Sequence, residues 1–243
     1  MIIEGNVSVK AAILGNKRTV QAVYADEKKK DKDTSFILHR AEERNIPVKY
    51  CSREEIEEMS HGKTHGGLIA EAGLRSFQKE EDCFDSERVF VAVVEGVEDP
   101  FNLGYIIRTL YSAGCTGLII RKREWGEAES VILKSSAGAF EYINLVMSED
   151  IPASVRFFKE KGVRCFAAMR RDAISCYEAD FRYPLLLAIG GEMRGLSAKT
   201  LQEMDQNIYI PYANDFRNAL NAAGAAAVLG FEVFRQNESV FRK

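Results

Sequence analysis

Three stretches of the chain place glycines and polar residues where an apolar run gives way to a loop. EDPFNLGYIIRTLYSAGC (98–115) follows VFVAVVEGV and reads as a loop with Pro100 and an Asn102-Leu103-Gly104 turn, with Arg108 one helical turn later. AIGGEMRGLS (188–197) passes into Gly190, Gly191 and Gly195, interleaved with Glu192 and Arg194. IPYANDFRNALN (210–221) leaves a strand at Pro211 and crosses a polar loop to Asn221. Glycines just beyond a strand let the backbone approach a ligand closely and turn N–H groups toward it. In open parallel α/β sheets, ligands sit outside the carboxyl ends of the strands, which is where such loops fall. A tight turn before a helix explains each glycine pair as well, so glycine alone names no ligand. Arg108 lies opposite the helical stripe of Leu103, Ile106, Ile107 and Leu110, and by pattern alone it is a solvated surface arginine.

Other chemistries find no support. GGEMRG is not G-x-G-x-x-G, and the chain has no G-x-x-x-x-G-K-[ST], no nucleophile elbow and no H-E-x-x-H. That disposes of a generic dinucleotide-binding oxidoreductase. His39, His61 and His65 lack ligand spacing, so no metal site is expected. The five cysteines are scattered without a C-x-x-C pair, which argues against a disulfide framework or a zinc site and for a reducing, cytoplasmic setting. The opening MIIEGNVSVKAAIL lacks a basic region followed by a long apolar one, and no apolar run reaches the roughly 18–20 residues that span a bilayer. No membrane association is expected. A formal net charge of −3 excludes a protein that holds nucleic acid by overall charge, and leaves a local patch open. EKKKDKD, within 26–33, and RKRE (121–124) are two such patches, each readable as a solvated loop or as a phosphate contact.

The elements that would position these loops follow from periodicity. Residues 1–75 alternate helix and strand signals: a helix in SVKAAILGN ending at Gly15, a strand in TVQAVYAD, and a helix in TSFILHRAEERNI capped by Thr34 or Ser35. A short strand IPVKYC, a helix with a Ser52–Glu55 capping box and a strand GLIAEAG complete a small α/β layer. SFQKEEDCFDSER (76–88) is polar and aperiodic and reads as a linker. In 89–243 the strand candidates RVFVAVV, GLIIRK, YINLV, RCFAAMR, PLLLAIG and QNIYIPY are apolar throughout, so a mostly parallel sheet buried on both faces is expected. Helical stretches at 104–113, 129–137, 152–162 and 197–204 separate them, and DFRNALNAAGAAAVLGFEVFRQ supplies a final helix of small residues.

N-L-G-Y-I-I-R (102–108), K-S-S-A-G-A (134–139), I-G-G-E-M-R-G-L (189–196) and I-P…A-L-N-A-A (210–223), in that order, resemble the SpoU/TrmH family of RNA ribose 2′-O-methyltransferases, of the SPOUT superfamily. The resemblance covers 89–243. The first 75 residues, closing with HGGLIAEAG (65–73), are similar to the family's RNA substrate-binding domain. The resemblance implies an α/β protein whose C-terminal chain is threaded into a trefoil knot, a topology that the general rule against knots would reject. It further implies a homodimer whose active site forms at the dimer interface.

The implied reaction moves a methyl group from S-adenosylmethionine to a ribose 2′-hydroxyl. By resemblance Gly190, Ile210 and Leu220 hold the cofactor, Asn102, Glu192 and Asn221 order the site, and Arg108 is the catalytic arginine. A guanidinium with a pKa above roughly 12 makes a poor base, so an electrostatic role for Arg108, on the phosphate and the developing alkoxide, is the better expectation. The substrate expected is RNA, with ribosomal RNA ahead of transfer RNA because of the extra N-terminal domain. Two positions depart from the family pattern: Ala219 stands where a serine is usual, and Tyr212 where a methionine follows I-P. The missing hydroxyl keeps a second reading alive, a catalytically silent SPOUT protein that binds RNA or ribosomal particles.

Overall fold

The computed structural model describes residues 1–62, 64–84, 88–126 and 128–241. The first elements are β1 (Ile2–Glu4), α1 (Asn6–Gly15), β2 (Val20–Asp26), α2 (Lys32–Glu43), β3 (Val48–Cys51), α3 (Arg53–Met59) and β4 (Leu68–Ala72). There follow β5 (Phe90–Glu95), α4 (Pro100–Ser112), β6 (Gly117–Arg121), α5 (Ala128–Ser135), β7 (Asn144–Ser148), α6 (Ile151–Glu160) and β8 (Arg164–Ala168). The last are β9 (Ala173–Ser175), β10 (Leu185–Gly190), α7 (Ala198–Gln202), β11 (Gln206–Tyr209) and α8 (Ala222–Gln236). Two compact units result: Met1–Ser76 with Trp125–Tyr142, and Phe77–Glu124 with Ile143–Lys243.

In the first unit a four-stranded sheet runs β1-β4-β2-β3, antiparallel except for the β2–β3 pair. The Ser52–Glu55 capping box forms as expected, with Ser52 Oγ accepting from the Glu55 N–H at 3.2 Å and Glu55 Oε2 accepting from the Ser52 N–H at 2.7 Å. α2 begins earlier than Thr34. The Asp31 carboxylate accepts from the Thr34 N–H at 2.9 Å and from its hydroxyl at 2.7 Å, so the aspartate caps the helix and Thr34 falls in its first turn.

The K-S-S-A-G-A stretch belongs to this unit although it lies far along the chain. Arg18 is buried and reaches Glu141 at 2.7 Å and Glu129 at 3.2 Å, and both carboxylates are buried too. Arg75 donates from Nε to the Phe140 carbonyl at 2.9 Å and lies 4.8 Å from the centroid of that ring, with its pKa brought down to about 10 by burial. Gly138, at φ +85°, sits where a Cβ would come within 2.6 Å of the Ala11 Cβ, so only glycine lets α1 pass. Glu4 is buried and accepts from Lys134 Nζ at 2.7 Å and from the amides of His61 and Gly62 at 2.8 Å each. Burial alone pushes the Glu4 carboxyl up, but Lys134 and the two amides outweigh it and hold its pKa below the ordinary value.

The second unit is built on a seven-stranded sheet in the order β7-β6-β5-β10-β8-β11-β9, parallel at every pairing among the described residues. Alternate residues of a strand face opposite ways. Val91, Val93, Ile119, Leu186 and Ala188 pack with Ile151, Val155 and Phe158 of α6, and Ile189 shares a cavity with Ala225 and Leu229 of α8. All six residues of β5 are buried, Phe90–Val94 as their apolar pattern leads one to expect and Glu95 with them. α8 also lies against α4, where Gly230 brings its backbone close to Leu110 and Ala113. The polar stretch expected as a linker carries structure: Gln78 bridges to Val146 in parallel, Glu80–Cys83 form a 3-10 turn, and the buried Cys83 side chain fills the space above Gly117. Residues 85–87 of that stretch lie outside the described residues.

Two stability predictions follow from the buried charges of the first unit. Arg18→Met leaves two buried carboxylates without their cation and should cost about 3–5 kcal/mol at neutral pH in urea unfolding; a loss below about 1 kcal/mol would show that the cluster is not a clasp. A carboxyl whose pKa is lowered by folding contributes stability that is present above its unfolded pKa, about 4.3, and lost as pH falls through the lower folded value. Lys134→Met should therefore move acid unfolding, followed by circular dichroism, to higher pH. Coincident acid midpoints for variant and parent would contradict the role of Lys134.

Candidate active site

The chain after β5 turns one way, through α4 to β6, while the chain after β10 turns the other way, through α7 to β11. β5 and β10 are neighbours, with Glu95 opposite Gly190, so the two loops part at the carboxyl end of the sheet. That is the place where an open parallel sheet leaves a crevice. Among the described residues, two cavities that share lining residues open beside it.

The larger, about 350 Å³, sits over the ends of β8, β10 and β11. Its floor is the backbone of Gly190 and Gly191, and its apolar walls include Ile189, Ile208, Ile210 and Leu229. The loop before α8 contributes Ala219 and Leu220, and α8 adds Ala222 and Ala225. Local geometry explains the glycines. A Cβ on Gly190 would come within 2.5 Å of the Gly195 and Leu196 backbone, and one on Gly191 would run into the Gly96 carbonyl. The loop folds back on itself through the Gly195 N–H, which donates to the Gly191 carbonyl at 3.0 Å. It is tied to β5 by the Gly191 N–H, which donates to the Glu95 carbonyl at 2.7 Å. The buried Glu95 carboxylate accepts from the Ser197 N–H at 3.1 Å.

The second cavity, about 330 Å³, is lined by the Gly96–Asp99 loop, Asn102, Glu192–Arg194 and Ala222. Glu192 and Ala222 line both cavities. The two spaces therefore share a wall made of one carboxylate and the first residue of α8.

The structure thus gathers most of the expected residues. Gly190, Ile210 and Leu220 line the first cavity, Asn102 the second, and Glu192 both. Asn221 is the N-cap of α8, its Oδ1 accepting from the Gly224 N–H at 2.7 Å, so its carbonyl is committed to the helix. Asn102 and Gly104 do not form a turn. Asp99 caps α4 by accepting from the Asn102 N–H at 2.8 Å, and Pro100 occupies its first turn, so both residues are already helical. Arg108 is exposed and lies outside both cavities, about 120° around α4 from Asn102 at 100° per residue. Its guanidinium has no hydrogen-bond or ion-pair partner among the described residues.

Sequence reasoning missed the end of β8. Ala168, Met169 and Arg170 line the larger cavity, and Arg170 lies 4.7 Å from the centroid of the Tyr212 ring. The signal was available in RCFAAMRR, an apolar run ending in two arginines, but nothing local says that β8 pairs with both β10 and β11. The RKRE patch is largely committed within its own unit: Arg121 stands 3.7 Å from Glu95, Lys122 2.6 Å from Glu149, and Arg123 donates to the Glu98 carbonyl at 3.3 Å.

Comparison with known proteins bears on this arrangement. Residues 89–231, more than half of the chain, match the SpoU rRNA Methylase family, and residues 2–77 match the family described as RNA 2'-O ribose methyltransferase substrate binding. The 23S rRNA (guanosine-2'-O-)-methyltransferase RlmB of Shewanella oneidensis is 25% identical over 98% of this chain and 98% of its own. Among solved structures, the SpoU methyltransferase AviRb from Streptomyces viridochromogenes superposes with a TM-score of 0.80 at 21% identity, covering 99% of this chain and 90% of that one. An AdoMet-bound rRNA methyltransferase from Sinorhizobium meliloti reaches 0.78 at 21% identity, over 96% and 86%. The likeness of these two confirms the α/β fold with its parallel sheet. The chain belongs to the SpoU family of RNA methyltransferases, whose methyl donor is S-adenosylmethionine.

Proposed function

We propose that the protein methylates a ribose 2′-hydroxyl of ribosomal RNA, with the larger cavity holding S-adenosylmethionine and the smaller one receiving the target nucleotide. The observation that carries this reading is the shared wall: Glu192 and Ala222 line both spaces, so a donor in one and an acceptor in the other would meet. The residues present fit the cofactor. A glycine floor and isoleucine walls suit a flat adenine, and about 350 Å³ lies within the usual range for small-molecule sites. Gly190, Ile210 and Leu220 would hold it.

When bound, the cofactor supplies an electrophilic methyl group on a positively charged sulfur. The chain's own residues do the rest. Glu192 places a carboxylate on the wall nearest both ligands, and Asn102 presents an amide to the nucleotide side. Asn221 fixes the start of α8, and with it Leu220 and Ala222. Arg108 lies outside both cavities of its own chain, so the role proposed for its guanidinium, anchoring a substrate phosphate and stabilising negative charge growing on the 2′-oxygen, is assigned across the proposed dimer.

The N-terminal domain is assigned to substrate RNA, supported by the match of residues 2–77. Ribosomal RNA is favoured over transfer RNA because the RlmB relative, whose name specifies 23S rRNA, aligns over nearly the whole length. The C-terminal trefoil knot, a cytoplasmic setting and a homodimer complete the reading. Exposed Phe101 and Tyr105 on α4 and Phe231 on α8 offer the apolar surface a dimer needs, and light scattering at twice the chain mass would be the expected result. A monomer at micromolar concentration would remove the dimer.

Calorimetric titration with S-adenosylmethionine, followed by methyl transfer to unmodified rRNA, tests the function. Saturable binding at one site per chain and transfer to rRNA are expected. Arg108→Ala should bind the cofactor as tightly as the parent yet lose transfer by at least about 100-fold, in keeping with the loss of one charge-stabilising group. Lost cofactor affinity with surviving turnover would overturn the role given to Arg108. No binding by the folded parent, with or without RNA, would favour the silent RNA-binding protein that Ala219 leaves open.

A further inference from the structure

The loop between β11 and α8 begins and ends in the larger cavity, since Ile210 and Leu220 both line it. Between those ends the chain is neither helix nor strand, and residues 213–220 are all exposed. Such a loop would have to be ordered when the cofactor binds, at an entropic cost that weakens affinity unless the loop is already fixed. Few contacts fix it. Among the described residues, the loop from Ile210 to Leu220 makes only three hydrogen bonds. The Phe216 N–H donates to the Asn214 carbonyl at 2.8 Å, within one turn. Arg170 donates from a terminal guanidinium nitrogen to the Arg217 carbonyl at 3.3 Å. The Leu220 N–H donates to the Tyr212 hydroxyl at 2.8 Å.

Only the last of these joins the two ends of the loop. The Tyr212 ring that carries the hydroxyl is itself held, with the Arg170 guanidinium 4.7 Å from its centroid and the Phe216 ring 6.3 Å away. Arg170 leaves the end of β8, on the rigid sheet, so the cation ties the loop to the scaffold at two points: the Tyr212 face and the Arg217 carbonyl. Both residues also line the cavity.

We propose that Tyr212 and Arg170 form a latch that presets the cofactor-binding loop, the tyrosine hydroxyl closing the loop at Leu220 and the arginine fastening the closed loop to β8. Both act through Leu220 and Ile210 and are positioning residues. The latch is a property of this chain's own residues, since Tyr212 stands at one of its two departures from the family pattern. It supplies a hydroxyl in a loop whose other departure, Ala219, removes one. The inference rests on the assignment of the larger cavity to S-adenosylmethionine.

Tyr212→Phe tests it, because the ring and its arginine contact survive while the acceptor for Leu220 is lost. One net hydrogen bond corresponds to about a 3- to 10-fold change in an equilibrium constant. Calorimetry should show the Kd for S-adenosylmethionine rising by about that factor, and the loss should fall on KM for the cofactor rather than on kcat. In the cofactor-free protein, the Leu220 amide should exchange with solvent faster in the variant, while the thermal midpoint moves little. Arg170→Met, which releases the loop from β8, should weaken cofactor binding by a similar factor. Unchanged cofactor affinity in both variants would overturn the latch. Should the parent itself bind no S-adenosylmethionine, the assignment of the cavity fails. Leu220 exchange still judges the latch in that case, with equal rates in parent and Tyr212→Phe refuting it.

Discussion

The site depends on β10 lying between β5 and β8, in parallel with both. That placement sets Gly190 beside Glu95 and forces two loops to leave the sheet at the same level in opposite directions. Backbone then meets backbone: the loop after β10 turns back on Gly190 and crosses Gly96, and neither approach has room for a Cβ at 190 or 191. The glycines are thus a demand of the sheet before they are a feature of any ligand site. The same crowding exposes a floor of peptide groups with no side chains over it. A flat ligand can lie there, and the isoleucines at 189, 208 and 210 close around the space.

The two faces of the sheet answer to different needs. On the α6 face the buried residues are large, with Phe158 packed among Val91, Val93, Ile119 and Val155. On the α8 face the residues near the cavity are small, Ala222 and Ala225, and Gly230 further along lets the helix lie close to α4. Small residues at the start of α8 leave the larger cavity open, while those further along draw two helices together. An alanine-rich helix reads as a packing element, and here its first turn also shapes a binding space. Asn221 links the roles, because the cap that starts the helix fixes the residue on either side of it.

Much of this was legible in the sequence. Runs such as PLLLAIG and RVFVAVV read as strands buried on both faces, and glycines at their ends marked the loops that gather. The capping box of α3 was readable residue by residue. What escaped had no local signature. β1 and β9 are three residues each, too short for a period to show. Asn102 and Gly104 read as a turn because Asn, Pro and Gly favour turns, yet Asp99 and Pro100 start a helix there, and Gly104 is buried within it. The attachment of 125–142 to the first unit includes Arg18 meeting Glu129 and Glu141, an ion cluster across more than a hundred positions that no window of sequence announces.

Charge partnering separates cations that the sequence treats alike. Arg121, Lys122 and Arg123 form the densest basic run of the second unit, and each already meets a carboxylate or a carbonyl within that unit. A phosphate would have to displace those partners, and exposed pairs of this kind exchange for little net gain. In the first unit, Lys29 pairs with Asp31 and Lys10 with Asp33, while the ammonium groups of Lys28, Lys30 and Lys32 have no carboxylate partner among the described residues. Arg108 belongs with these unpaired cations. It sits on a rigid helix rather than a loop, it has no partner among the described residues, and it lies outside both cavities of its own chain. An unpaired guanidinium held on a fixed scaffold keeps its whole field for an incoming anion, and the strength of that field grows once water is excluded around it. Because Arg108 lines neither cavity, the role proposed for it depends on a site completed between molecules rather than inside one subunit.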